Sequence, residues 1–415
     1  MVLTGGAAGG TLPRMNEKQT PGNMVVAQSG GPSMVINQSL VGAALAARWT
    51  KQIGHVWGAR HGIDGILKED FVDLGAIPEA TLEAVARTPS SALGSVRHKP
   101  TPEECRRIFD VLRARDVRFF FYIGGNDSAE TVHVVAQEAR RAKFDLACFH
   151  IPKTIDNDLR GGNDHTPGYG SAARFVAMAL QGDDLDSRAL GGVKIDVIMG
   201  RDAGFLTAAS ALGRRHPDDG PHLIYLPERP FDIARFADDV KATVDRLGRC
   251  VVAVSEGIRG ADGVPVAVAL AGNAVERDSH GNAQLSGTGA LGDLLAREVK
   301  ARTGIRRVRA DTFGYLQRSF PGAISEADAA EARTAGSSAV AIALCGGVKN
   351  GSVAIVRKPG PGYHVEFRRV PLSSVARATR SMPAKFIAAN GHDVTRAFLD
   401  YARPLVGELP HMELL

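Results

Sequence analysis

Five short apolar runs, Met24–Ala27, Phe119–Ile123, Leu146–Ile151, Val193–Ile198 and Val251–Val254, alternate with longer amphipathic stretches such as Ile36–Arg48, Ala129–Arg141 and Ser171–Leu180. The runs have the length of strands and the stretches the apolar spacing of helices. Strands alternating with helices build parallel sheets covered on both faces, and ligands of such sheets gather beyond the carboxyl ends of the strands. The chemistry should therefore sit just after each run. Those residues are Gly30-Gly31-Pro32-Ser33, Gly124-Gly125-Asn126-Asp127-Ser128, Pro152 to Asp158, Met199-Gly200-Arg201 and Ser255-Glu256-Gly257.

Glycine is the compositional outlier, 47 of 415 residues against a usual share of roughly 7%, and it clusters in doublets after the apolar runs. Such doublets let backbone approach a ligand. The net charge of +5 comes from 50 basic and 45 acidic residues, and the densest basic cluster is only Arg306, Arg307 and Arg309. A nucleic-acid binder would carry a longer stripe, so no nucleic acid is expected. Cys105, Cys148, Cys250 and Cys345 form no CxxC pair and read as reduced core thiols. No apolar stretch approaches the roughly 18 residues of a membrane span, so no membrane partner is expected and the cytoplasm is the default location. Residues 1–23 carry scattered glycine and proline without hydrophobic periodicity and read as a flexible leader.

Two segments are chemically pointed. At Gly124–Ser128 a strand ends in two glycines and a helix is expected to start near Ser128, which would present backbone N–H groups to an anion. A plain strand-to-helix turn capped by Ser128 fits the same residues. Asp127 beside the glycines adds a metal option, because Mg²⁺ on a phosphate borrows one or two carboxylates. The stretch Pro152–Asp158 packs a cation (Lys153), a hydroxyl (Thr154) and two carboxylates (Asp156 and Asp158) into one turn. Phosphoryl transfer asks for this combination, a carboxylate at the acceptor and positive charge at the moving group. The bland alternative is a solvated acidic turn capped by Thr154 or Asn157.

These residues resemble the phosphofructokinases, and among them the pyrophosphate-dependent 6-phosphofructokinases. The likeness runs from Met24 onward through SGGPS (29–33), IGGNDS (123–128), PKTIDNDL (152–159), DHTPGYGSAAR (164–174), MGRDAG (199–204), SEG (255–257) and GYLQRS (314–319). It implies an α/β fold of two Rossmann-like three-layer domains with mainly parallel sheets and the active site in the cleft between them. The donor-binding domain would take 24–165 plus about 319–390, and the sugar-phosphate domain 166–318 plus about 391–415. It implies reversible phosphoryl transfer from pyrophosphate to the C1 hydroxyl of fructose 6-phosphate with Mg²⁺. Asp156 would be the base, supported by Thr154 and Asp158, with Lys153 and Arg201 on the moving phosphoryl group. Gly31, Arg97, Gly125, Asp127, Ser128 and Lys153 would bind the donor. Met199, Gly200 and Glu256 would contact the sugar, and Arg309, Tyr315 and Arg318 its phosphate. Arg309 would reach in from a neighbouring subunit, which makes the chain a homodimer or higher homo-oligomer. Rivals are the same reaction with ATP, or a non-catalytic regulatory subunit.

The chain departs from the family at several positions. Asn126 stands where ATP-using relatives carry a metal-associated Asp, and Asp127 stands where they carry Gly, which leaves Asp127 as the carboxylate for Mg²⁺. The relatives' glycines matching Asp127 and Lys153 make room for a nucleotide. A carboxylate at Asp127 fills that room and repels a third phosphate, by roughly 4 kcal/mol for unit charges about 4 Å apart at an effective dielectric near 20. The family arginine seven residues before Met199 is Gly192 here, so that phosphate contact is missing or taken over by Lys194.

Overall fold

The structure, a computed structural model, describes residues 21–271, 289–345, 347–376 and 379–414. Residues 1–20 of the expected leader lie outside the described residues. Its last positions do not behave as a leader: strand β1 begins at Gly22, and the Asn23 amide donates to Arg115 O at 2.6 Å while its Oδ1 accepts from His55 N at 2.8 Å.

Eleven strands are described: β1 (Gly22–Gln28), β2 (Ile53–Ala59), β3 (Phe71–Asp73), β4 (Val117–Gly124), β5 (Ala147–Pro152), β6 (Gly192–Ile198), β7 (Leu223–Tyr225), β8 (Arg249–Ser255), β9 (Val308–Thr312), β10 (Asn350–Arg357) and β11 (Val365–Val370). They form two sheets, a seven-stranded one in the order β11-β10-β5-β4-β1-β2-β3 and a four-stranded one in the order β7-β8-β6-β9. The smaller sheet is wholly parallel. In the larger one only the outermost strands, β3 and β11, run antiparallel to their neighbours.

Period-two alternation explains why both faces are covered. Along β1, Met24 and Val26 enter one core while Val25 and Ala27 enter another, and along β4 Phe119 and Phe121 oppose Phe120 and Tyr122 in the same way. In the smaller sheet Val193, Ile195 and Val197 of β6 face one core, and Val251 and Ala253 of β8 face the other. Helix Tyr169–Leu190 joins the two halves. Its first turn is docked by Asp328, which accepts from Gly168 N and Ser171 N, both at 2.8 Å, and from Ser171 Oγ at 2.6 Å; its last turn leads into β6. Cys105, Cys148 and Cys250 are buried as expected, whereas Cys345 is exposed, because the helix Glu326–Leu344 ends just before it and turns it outward. Among the described residues no helix is long and apolar enough to cross a membrane.

Candidate active site

The carboxyl ends of β1, β4, β5, β6 and β8 converge on one cleft of about 850 Å³ between the two sheets. Gly31, Arg97, Gly125, Asp127, Ser128, Lys153, Thr154, Asp156, Asp158, Met199, Arg201, Glu256, Tyr315 and Arg318 all line it. This brings together every expected site residue except Gly200 and Arg309. Gly200 lies in the backbone between Met199 and Arg201, where its carbonyl accepts from Ser255 Oγ at 2.7 Å and so ties the β6 loop to β8. Arg309 is exposed on β9, donates to its own neighbour Val308 O at 3.1 Å, and does not line the cleft of its own chain.

The loop after β4 differs from expectation in one respect. The helix runs Asn126–Arg141 with Gly125 at its cap, so it starts ahead of Ser128 and the cap makes no side-chain hydrogen bond. Ser128 instead turns back: its Oγ lies 2.5 Å from Ser29 Oγ of the β1 loop. A Cβ on Gly124 would sit 1.9 Å from Ser128 Oγ, so this cross-loop contact demands glycine there. At Gly31 a Cβ would come within 2.7 Å of Arg318 Nη1, the movable end of that side chain. Asp127 is exposed in the first helical turn and faces the cleft.

The β5 loop holds the strongest electrostatics. Lys153 is buried and donates to Gly31 O; burial, and then the charges of Arg318 and Arg97, push its pKa down to about 7. Asp156 Oδ1 is buried and accepts no hydrogen bond from the protein, while Asp156 N donates to Thr154 Oγ1 at 3.2 Å. Burial raises the Asp156 carboxyl, and Arg201 is the strongest of the charges pulling it back. Asp158 is raised too, first by burial and then by Asp156. A solvated acidic turn would show none of this, although Thr154 does cap it. Among the described residues no ion pair joins Lys153 to Asp127; Lys153 donates to Gly31 O.

Facing this loop, Arg318 stacks on the Tyr315 ring at 4.3 Å from its centroid, on the 3₁₀ turn Gly314–Arg318. That turn is tied to the β6 loop through Met199 N, which donates to Gln317 Oε1 at 3.2 Å. Met199 also packs on the core beneath, so one residue both lines the cleft and packs the core. Lys194 does not replace the absent arginine within this cleft. Its ammonium is bound by Asp311 and lies 3.6 Å from Asp183 and 3.7 Å from Asp196, and it does not line the cleft. Gly192 has φ 84°, and a Cβ there would meet Arg307 O at 2.6 Å, so no side chain fits at that position.

Sequence reasoning missed Lys99, Asp202 and Thr379, which also line the cleft. Lys99 pairs with buried Glu130 at 2.5 Å and Asp202 with Arg259 at 2.5 Å. Adjacency to Arg97 and Arg201 was the available signal for the first two; Thr379 had none.

A family model described as phosphofructokinase matches residues 23–343. The chain is 59% identical over 386 residues to the pyrophosphate--fructose 6-phosphate 1-phosphotransferase of Rhodospirillum rubrum, covering 93% of this chain and 94% of that protein. It is 40% identical to the protein of the same name from Xanthomonas campestris, covering 94% and 93%. Among solved structures, the pyrophosphate-dependent phosphofructokinase of Nitrosospira multiformis superposes with a TM-score of 0.83 at 32% identity, over 95% of this chain and 94% of that one.

Proposed function

This chain belongs to the phosphofructokinase family, and from that premise we propose that it transfers phosphate reversibly from pyrophosphate to the C1 hydroxyl of fructose 6-phosphate. The observation that carries this reading is the cleft itself: Asp156 Oδ1, without a protein partner, faces buried Lys153 and the arginines Arg201 and Arg318. The names of the relatives at 59% and 40% identity support pyrophosphate as the donor.

In the forward direction the sugar lies against Met199, Gly200 and Glu256, with its 6-phosphate at Tyr315, Arg318 and Arg309 of the partner subunit. Asp156 takes the proton of the C1 hydroxyl as the C1 oxygen attacks the terminal phosphorus. The new O–P bond forms, the bridging P–O bond breaks, and its electron pair leaves with inorganic phosphate. Lys153, Arg97 and Arg201 offset charge on the moving group and the departing phosphate, while the backbones of Gly31 and Gly125 and the hydroxyl of Ser128 cradle the donor. Thr154 and Asp158 hold the turn that presents the base. Cleft-facing Asp127 fits Mg²⁺, which takes one or two carboxylates together with substrate phosphates. Bound there, the ion would neutralise charge on the donor oxygens. Residues 24–165 with about 319–390 serve the donor, and 166–318 with about 391–415 serve the sugar, in a homo-oligomer whose sites are shared between subunits.

Turnover measured with pyrophosphate and with ATP, each at saturating fructose 6-phosphate and Mg²⁺, tests the reading. Activity with pyrophosphate and little with ATP is expected. A preference for ATP would overturn the donor assignment, and no turnover with either would overturn the function.

A further inference from the structure

One side chain reaches the acidic turn from a segment far away in sequence. Arg380 lies beyond β11, in a stretch joined to the end of the turn by an antiparallel bridge between Leu159 and Thr379. Its guanidinium donates to Asn157 O at 2.9 Å, Asn157 Oδ1 at 3.0 Å, Asp164 O at 2.7 Å and Asn163 O, and its backbone N–H donates to Asp158 O at 2.7 Å. Asn157, between the two carboxylates, has φ 58°, a left-handed conformation that must be held in place by its neighbours. Its Nδ2 donates to the Tyr401 hydroxyl at 2.7 Å, and that hydroxyl donates to Asp164 O at 2.8 Å.

The same segment is tied to the loop that carries Arg201. The Arg380 guanidinium lies 5.3 Å from the centroid of the Phe205 ring. Glu228 Oε1 accepts from Met382 N at 2.8 Å and from Gly204 N at 2.9 Å. The base and the phosphoryl-stabilising arginine are thus referenced to one short piece of chain. Asp156 cannot be steadied through Oδ1, which has no protein partner, so the aim of its carboxylate depends on the backbone either side of it.

We propose that Arg380 is the positioning residue for the Asp156–Asp158 turn, acting on turnover through Asp156 without touching either substrate. This rests on the reading of Asp156 as the base. A planar fork with several fixed donors does this work, and a lysine ammonium, a single point of charge, does not reproduce it.

The test uses the full chain with pyrophosphate, fructose 6-phosphate and Mg²⁺, with sugar-phosphate sites counted by titration calorimetry. Misplacing a reacting group by about 1 Å costs on the order of 10² in rate. Arg380→Ala is therefore expected to lower kcat per site about 10²-fold and Arg380→Lys about tenfold, with both KM values within about threefold of wild type. Tyr401→Phe, which removes one arm of the network, should fall between wild type and Arg380→Lys. If Arg380→Ala does not fold, the two milder variants decide. A kcat per site in Arg380→Lys within about twofold of wild type overturns the proposal, as does a turnover loss matched by lost binding sites, which would leave Arg380 a role in stability alone. Wild-type chain without turnover would overturn the underlying function instead, and that result needs no variant.

Discussion

The seven-stranded half meets the cleft with charge sunk into the protein. Lys153 is buried against Gly31 O, and Asp156 and Asp158 have their carboxyls raised mainly by burial. The four-stranded half meets it less uniformly: Glu256 is buried, Tyr315 is 49% exposed, and Arg309 lies outside the cleft of its own chain. One side has prepared its chemistry by desolvation, so its groups are expensive to hold and matched to a reacting centre. The other leaves part of its lining, Tyr315 above all, open at the cleft. Substitutions at the buried groups of the first side should therefore act on turnover and on protonation, and those at Tyr315 and Arg309 on sugar affinity.

The sharpest way to break this contrast is Asp156→Asn. It should lower kcat by about 10² to 10⁴, the usual worth of a positioned general base, and leave the KM for fructose 6-phosphate within a few-fold. Steady-state kinetics on both substrates would show it, and turnover near wild type would remove Asp156 from that role. A smaller effect is expected at Lys153. In the proposed reading its protonated form contacts pyrophosphate, and with a pKa pushed down to about 7 it loses its charge as pH rises through that value. The wild-type kcat/KM for pyrophosphate should then fall above about pH 7, and Lys153→Met should raise the KM for pyrophosphate about 10- to 100-fold and abolish that descending limb. A wild-type profile flat from about pH 6 to 9 would contradict the assigned burial effect. Smallest in amplitude is Arg309→Ala, expected to raise the KM for fructose 6-phosphate about tenfold with kcat little changed. Mixing Arg309→Ala with Asp156→Ala chains should produce hybrid sites with the wild-type KM for fructose 6-phosphate. Hybrids that form and show only the raised KM would mean that the sugar side is completed within one chain.

The same contrast governs what could be read from the sequence. The expected strands are those with both faces buried, since β1, β4, β5, β6 and β8 are continuous apolar runs, and the helix Ile36–Arg48 matches to the residue. Strand β9, Val-Arg-Ala-Asp-Thr, alternates buried with exposed positions at the margin of its sheet and offers no such run. Strand β11 is an edge with two exposed arginines. The cleft residues after β1, β4 and β5 were legible because they follow apolar runs directly, whereas Arg97 follows none and was expected only from the family resemblance. Lys99 and Thr379 were not legible, because they enter the cleft from loops that follow no strand end, and Arg380 acts through backbone carbonyls, a role that no side-chain pattern announces.

The placement of β10 beside β5 has a consequence for how the chain is made. β5 delivers Lys153 and Asp156, and one of its two neighbours, β10, lies far along the chain: His150 Nδ1 and Ser352 Oγ, 2.8 Å apart, are separated by 202 residues. At translation rates of about 5 to 20 residues per second, that interval lasts about 10 to 40 s. Through it the nascent β5, Ala-Cys-Phe-His-Ile-Pro, has a bare row of N–H and C=O groups on the side where β10 will dock. Such an edge pairs with whatever strand reaches it first. The strand that bears the reactive turn is thus the one most exposed to mispairing on the ribosome, and a chain stalled short of Asn350 would meet its neighbours through that edge before it could meet a substrate.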